Sequence, residues 1–307
     1  MQTFLVPLSL LAGALLAVQA GANAQLSKSV GSPFAATTLQ LSVGSLVLAA
    51  AMLLTGGHPA LAGLPQVPWW HAVGGTASAF YVVSTVLLFP RIGAVMTVGL
   101  LIASQMLASL ALDAFGLLGV TPKDLGFAAF VGMAAVLGGA GAIVFGQREA
   151  AGATGSPKAG WIVLALAAGA VLPVQGAVNS LLRADLGAPF AVGAVSFVVA
   201  TLAMGAVLLG SVLFAGASAP KMSGLSGMPW WGWLGGFAGA TYVMTVFTAI
   251  PSIGAAAAIG LTVVGQQIAS VFVDRYGWFR LPKRPVRIGR LAGVGLLLAG
   301  VAALKAF

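Results

Sequence analysis

The feature that most constrains the fold is a series of ten apolar stretches, each about twenty residues long and separated from the next by a short break. A helix needs ~20 mostly apolar residues to cross a bilayer. Only 6% of the residues are charged, against about 25% in a soluble domain. The sequence therefore predicts an all-α polytopic membrane protein. The predicted spans are Thr3–Ala24, Pro33–Leu54, Trp69–Phe89, Ile92–Leu112, Leu125–Gly146, Trp161–Leu182, Pro189–Phe214, Trp230–Ile250, Ser252–Val273 and Ile288–Phe307.

The sequence also repeats itself once along the chain. "VQAGANAQLSKSVGSPF" from Val18 returns as "VQGAVNSLLRADLGAPF" from Val174, and "PWWHAVGG" returns as "PWWGWLGG". "FPRIGA" and "SQMLASLALDAFG" return in the same order as "IPSIGA" and "GQQIASVFVDRYG". This order indicates a tandem duplication, with a first five-helix repeat at residues 1–147, a linker at 148–160 and a second repeat at 161–307.

The number of spans in each half sets the relation between the halves. Five is odd, so the second half must enter the membrane in the opposite direction to the first. This predicts an inverted-topology repeat, an organisation common among secondary transporters. Two such halves can exchange conformations, and a central site between them can then open to either side in turn.

The first apolar stretch resembles a secretory signal peptide, because "FLVPLSLLAGALLA" precedes the small-residue tripeptide "ANA". It lacks the positively charged segment that begins such peptides. Its counterpart at Val174 lies in the middle of the chain, where no signal peptide can be. We therefore expect the segment to be retained as the first membrane helix.

Positive charges in the loops predict the orientation, since cytoplasmic loops carry an excess of Lys and Arg. The odd-numbered loops carry eleven: Lys28, Arg91, Arg148, Lys158, Lys221, Arg275, Arg280, Lys283, Arg284, Arg287 and Arg290. The other side carries three: Lys123, Arg183 and Lys305. The odd-numbered loops are thus predicted to be cytoplasmic, with both termini outside, although six of the eleven lie between Arg275 and Arg290.

Polar residues recur at equivalent places in the two halves. Polar side chains are costly in a bilayer unless they face a cavity or another helix, and residues four apart share a helical face. The candidates for a substrate pathway are Gln19, Asn23, Gln175, Asn179, Gln105, Gln266, Ser109, Ser270, Tyr81 and Tyr242. The alternative is that these groups bond across helices and only hold the bundle together.

Acidic residues and metal ligands are few. Asp113 and Asp274 lie at the ends of their predicted helices. Two roles are open for them, a structural ion pair or coupling to protons. The chain has no cysteine and two histidines, so we expect no metal site, no cofactor and no catalytic residues, and we expect the protein not to be an enzyme. The net charge of +9 fits cytoplasmic loops better than nucleic-acid binding.

The motifs "Q-x3-N-x9-PF", "PWWxxxGG", "P-x-I-G" and "GQ-x3-S-x3-D-x2-G" resemble those of the YdcZ-like family of the drug/metabolite transporter superfamily, an EamA-like group. The resemblance covers almost the whole chain, once per half. The chain is therefore similar to the fused ten-helix form of the family. It implies a multispanning carrier of the bacterial inner membrane, labelled an exporter, and supplies no substrate. Small multidrug-resistance relatives carry a glutamate in the first helix, but the first and sixth helices here have no acid. Cation–proton antiport by that mechanism is therefore not expected.

These features predict a secondary transporter of a small solute that works by alternating access, with the solute and the lipid bilayer as its partners. The alternatives are a flippase of a lipid-linked solute and a non-transporting partner subunit. Substrate, direction, coupling ion and oligomeric state, a homo-oligomer included, are left open by the sequence.

Overall fold

The computed structural model describes residues 2–92, 94–124, 126–148, 159–283 and 288–305, and this part of the chain is helical without strands. The α-helices of the first half are α1 (Gln2–Val30), α2 (Pro33–Leu54), α3 (Trp69–Ala72), α4 (Thr76–Ile92), α5 (Ala94–Phe115) and α6 (Phe127–Arg148). Those of the second half are α7 (Ala159–Leu186), α8 (Pro189–Phe214), α9 (Leu234–Ile253), α10 (Ala255–Tyr276) and α11 (Ile288–Lys305). Most of the predicted linker at 148–160 lies outside the described residues.

Two predicted spans differ from the structure at their starts. The span predicted from Trp69 is divided into α3 and α4, with the break at Val73–Gly75. The span predicted from Trp230 begins with a 3-10 turn at Trp230–Trp233 before α9. Each break falls within a "PWW…GG" motif, where small residues without side chains weaken the helix.

Seven helices are long and apolar enough to cross a membrane, among the residues that the structure describes. They are Phe4–Val30, Pro33–Leu54, Met96–Phe115, Ala159–Leu186, Pro189–Phe214, Trp230–Ile253 and Ala255–Tyr276. Three shorter apolar helices are Thr76–Ile92, Phe127–Ala142 and Leu291–Ala303. The chain is therefore a multi-pass membrane protein.

Helix packing follows a pattern that the two halves share. Helix α1 packs against α9 and α10, and its counterpart α7 packs against α4 and α5. Helix α2 packs against α8, α5 against α10, and α6 against α11. If the two halves are exchanged, each of these helix pairs becomes itself or another of the pairs just given. All of these pairs join one half to the other, as most helix contacts do.

Glycine allows the closest of these crossings. A Cβ atom added at Gly13 of α1 would overlap the backbone carbonyl of Thr262 of α10, and one added at Gly169 of α7 would approach the backbone of Leu101 of α5. The repeat relates Gly13 to Gly169 and Thr262 to Leu101. The helices thus approach closely at two equivalent points, as small residues allow in membrane bundles.

Contacts identify two ends of the bundle. At the Asp113 end, the carboxylate of Asp113 at the end of α5 meets the start of α10. At the Phe279 end, the ring of Phe279 lies against Gly21 of α1, and Lys221 N donates to Val30 O at 2.9 Å. These names are used below for the two ends.

Candidate functional site

Two tyrosines occupy the middle of the bundle. Tyr81 lies near the centre of α4 and Tyr242 near the centre of α9, and the two phenols are close enough to interact electrostatically. The hydroxyl of Tyr242 lies beside Thr262 of α10, whereas the counterpart of Thr262 in the first half is Leu101.

One turn before each tyrosine, a glutamine from the other half reaches the same helix. Gln175 of α7 contacts Ser78 of α4, whose Oγ lies 3.1 Å from Oε1 and 3.0 Å from Nε2 of the glutamine. Its counterpart Gln19 of α1 lies against Gly239 of α9, where an added Cβ would be 2.8 Å from Gln19 Nε2. Ser78 and Gly239 are equivalent in the repeat, so only Gln175 gains a hydroxyl partner there.

The two asparagines are one turn further along their helices and bond to the next helix. Asn23 Nδ2 donates to Thr37 Oγ1 of α2 at 3.3 Å, and Asn179 Nδ2 donates to Ser196 Oγ of α8 at 3.1 Å. In both residues the Oδ1 atom is buried without a hydrogen-bond partner among the described residues. Both asparagines thus join the first two helices of their repeat and leave one acceptor unused.

The polar candidates on α5 and α10 differ in the contacts that they make. Gln105 is buried and Gln266 is partly accessible. The side-chain amide of neither residue forms a hydrogen bond within the described part of the chain. Ser109 Oγ donates to the Gln105 carbonyl at 2.6 Å, and Ser270 Oγ donates to the Gln267 carbonyl at 2.8 Å. Both hydroxyls therefore bond back into their own helices.

Asp113 stabilises the start of another helix. Its Oδ1 accepts from Ala255 N at 2.6 Å and its Oδ2 accepts from Ala256 N at 2.7 Å. These amides belong to the first turn of α10, whose N–H groups have no partner within the helix. Lys123 Nζ donates to the Ile253 carbonyl at 3.0 Å beside this carboxylate. Asp274, its counterpart, lies in the last turn of α10 and takes part in an interaction of its own.

The bundle is packed differently at equivalent places in the two halves. Near the Asp113 end, Ser180 Oγ of α7 donates to the Phe247 carbonyl of α9 at 2.9 Å. A Cβ added at Gly176 would lie 2.7 Å from both Val246 and Ile250 of α9. The equivalent helices α1 and α4 make no comparable contact within the described residues, and Ala20, the counterpart of Gly176, is exposed.

A side-chain hydrogen bond adds to the packing of α7 at the Asp113 end. His71 Nδ1 of α3 lies 2.5 Å from Asp185 Oδ2 in the last turn of α7. His71 is buried and also meets the edge of the Trp70 ring, with ring centroids 4.0 Å apart. The repeat places Gly232 and Ser29 at the equivalent positions, so this pair has no counterpart at the Phe279 end.

The structure adds residues that the sequence pattern did not single out. Ser78, Thr37, Ser196 and Thr262 contact the predicted candidates from neighbouring helices. Each lacks an identical residue at its equivalent position, and a search for repeated residues therefore passes over it. In an alignment of the two halves, the polar residue Ser78 stands where the other half has Gly239. This replacement of glycine by a polar residue is a signal that could have identified Ser78.

Comparison with known proteins places the whole chain in one group. The family model described as "Putative inner membrane exporter, YdcZ" matches residues 4–142 and, a second time, residues 160–303. A solved crystal structure of a protein with 19% sequence identity has a TM-score of 0.64, and the match covers 99% of this chain and 96% of that chain. That likeness concerns the fold alone. No curated protein matches the chain in sequence.

Proposed function

Since the chain belongs to the YdcZ family of inner membrane exporters, we propose that it is a secondary transporter that carries a small solute by alternating access at a site between its two repeats. In this proposal the repeats are residues 1–147 and 161–307. The three shorter apolar helices also cross the membrane, which gives ten spans and an inverted topology. The bound solute lies among Gln19, Tyr81, Gln105, Tyr242 and Gln266.

The observation that carries the proposal is the broken symmetry of the helix packing. Helix α7 contacts α9 through Gly176 and Ser180 near the Asp113 end, while α1 and α4 lack the equivalent contact in the described residues. Two halves with similar sequences adopt different packing at equivalent places. Such a difference is what a carrier open at one end requires, because exchanging the two arrangements opens the other end.

The loop charges add a direction to this proposal. The Phe279 end contains the loops after α1, α8 and α10, which belong to the Lys- and Arg-rich set. This end is therefore assigned to the cytoplasm and both termini to the outside. A tag fused to the C-terminus should be accessible to a membrane-impermeant label in intact cells; a tag reached only after lysis would reverse the assignment.

Transport is tested by reconstituting the purified chain in proteoliposomes. A thermal-shift screen over metabolites and drugs identifies ligands, since a ligand that binds the folded state raises its unfolding temperature by mass action. A stabilising solute should then exchange across the proteoliposome membrane. Absence of both stabilisation and flux across a broad library would count against a carrier.

Substitutions separate the pathway from the packing. Gln105→Leu and Gln266→Leu should lower flux and leave the folded yield near that of the parent, because no side-chain hydrogen bond among the described residues is lost. Asn179→Leu should lower the folded yield itself, since it removes the bond to Ser196 from a fully buried site. If the glutamine variants also fail to fold, those amides hold the bundle together and do not line a pathway.

A further inference from the structure

Several polar side chains in the middle of the bundle are not hydrogen-bonded to a neighbouring helix in the described part of the chain. The amides of Gln19, Gln105 and Gln266 and the phenol of Tyr81 form no side-chain hydrogen bond with another described residue. Gln105 is only 7% exposed. A buried amide without a partner loses its hydration and gains nothing in return. Such groups are accounted for when a ligand or water completes their hydrogen bonds.

The position of Gln105 on α5 shows which part of the bundle its side chain faces, and so where its hydrogen bonds can be completed. Leu101 and Ser104 of α5 lie against Gly169 of α7, and Met106 lies towards Gly260 of α10. At 100° per residue, Gln105 falls on the arc between the face that meets α7 and the face that meets α10. Helices α7 and α10 belong to the second repeat, so this arc faces the junction of the two repeats.

Gln266 occupies the equivalent arc of α10. Thr262 and Gly265 lie against Gly13 and Leu10 of α1, and Gly260 lies towards Met106 of α5. Gln266 falls between these two faces and is partly accessible, whereas its neighbour Gln267 is buried at 6% exposure. The two glutamines therefore differ in surroundings although they are adjacent in the chain.

Charged residues lie at the ends of the bundle, away from this junction. Every charged residue in the helices described above falls in the first or last turn of its helix. The carboxylate of Asp113 at one end already accepts two backbone N–H groups and has Lys123 beside it. An ion brought to the junction would lose its hydration without meeting a charge of opposite sign, at a cost of several kcal/mol.

We propose that the junction of the repeats, formed by Gln19, Tyr81, Gln105, Tyr242 and Gln266, is a binding site for small solutes that carry no net charge and offer hydroxyl or amide groups. This names the substrate class of the proposed transporter and rests on that function. An amide supplies two donors and a carbonyl acceptor, and a phenol supplies one donor and an acceptor. The site can thus bind both the donors and the acceptors of a neutral solute.

The absence of cysteine from the chain allows a direct measurement that needs no known substrate. Gln105→Cys and Gln266→Cys are made singly, and the purified full-length variants are reacted with three methanethiosulfonates. These are the neutral hydroxyethyl, the cationic trimethylammonioethyl and the anionic sulfonatoethyl reagents. Rates are divided by those of the same reagents with a free thiol in solution. We expect the neutral reagent to react at least about tenfold faster than either ion, since several kcal/mol of ion desolvation corresponds to more than a factor of ten.

Gln267→Cys is the matched control, because Gln267 lies seven residues after Gly260, on the face of α10 that packs towards Met106 of α5, and should react slowly with all three reagents. Equal normalised rates for a charged and the neutral reagent at Gln105→Cys and Gln266→Cys would overturn the proposal. So would no reaction of either variant with any reagent, because the junction would then be closed to solutes. Labelling does not depend on transport. If the cysteines react faster with the neutral reagent but the protein shows no flux, the carrier is rejected and the binding site is kept. If the protein shows flux but the cysteines react faster with a charged reagent, only the substrate class is rejected.

Discussion

At the scale of single residues, the predicted polar positions divide into groups that are engaged and groups that are not. Asn23, Asn179 and Gln175 have hydroxyl partners on neighbouring helices. The amides of Gln105 and Gln266 form no side-chain hydrogen bond within the described residues. The sequence repeat makes no distinction between these groups, because it records residue types and not the helix that each side chain faces.

The first prediction concerns Asp113. Asp113→Asn keeps the shape of the side chain but replaces one acceptor oxygen with an amide group that cannot accept from the Ala255 or Ala256 N–H. Hydrogen bonds to a charged group are worth about 1.5–3 kcal/mol, so we expect a loss of stability of that order. The measurement is thermal unfolding in detergent. Asp124→Asn, which removes the same charge from an exposed loop, should unfold at the parent temperature, and equal unfolding of both variants would contradict a capping role.

At the scale of helices, small residues decide where two helices can cross. Gly13 and Gly265 lie where α1 and α10 approach closely, and an added Cβ at either would overlap a backbone carbonyl of the other helix. Other glycines of the bundle face open space, among them Gly205 and Gly210 of α8. The abundance of glycine in the sequence predicted close packing in general, and the structure assigns it to particular crossings.

The second prediction tests these crossings. Gly13→Ala and Gly265→Ala should each reduce stability by about 1–3 kcal/mol, as overpacking of a close contact does. The readouts are the monodisperse fraction in size-exclusion chromatography and the unfolding temperature. Gly205→Ala and Gly210→Ala are the matched controls and should behave like the parent protein. Four variants of equal stability would show that the close approach of α1 and α10 does not depend on these glycines.

At the scale of the whole molecule, the two halves share a packing pattern but differ at several equivalent contacts. Helix α7 meets α9 near the Asp113 end, and α1 and α4 lack the equivalent contact in the described residues. In the proposed mechanism, a second conformation exchanges the two arrangements. Ala20 of α1 would then approach Thr85 of α4, as Gly176 approaches Val246 in the structure.

The third prediction follows from that exchange and uses the cysteine-free background. The pair Gly176→Cys with Val246→Cys should cross-link in the conformation described here, and the pair Ala20→Cys with Thr85→Cys should cross-link in the opposite one. We expect both pairs to form disulfides under mild oxidation, and ligand binding to change their two rates in opposite directions. A protein with measurable flux in which the Ala20 and Thr85 cysteines never join would contradict this exchange of packing. Single-cysteine variants control for links between molecules.

Much of the architecture could be predicted from the pattern of residues. The spans Pro33–Leu54 and Pro189–Phe214 are predicted with the ends that the structure gives to α2 and α8, because each begins at a proline after a polar turn and ends where the apolar run ends. The family could be predicted as well, and the match over residues 4–142 and 160–303 confirms it. The ten-span count and the inverted orientation of the halves stay predictions.

By itself, the sequence determined that this chain is a helical membrane protein with a repeated unit, since hydropathy and self-similarity are properties of the residues in order. Only the tertiary structure decided which of the repeated residues bond across helices and where equivalent helices of the two halves pack differently. Tyr81 and Tyr242 are far apart in sequence, but their phenols are close enough in space to interact electrostatically. Ser78 has a polar partner while its counterpart Gly239 has no side chain to offer one. The physical reason is that helices in a bilayer gain little from hydrophobic contact with each other. Their arrangement therefore depends on close packing and on individual hydrogen bonds, which are specific to pairs of distant residues.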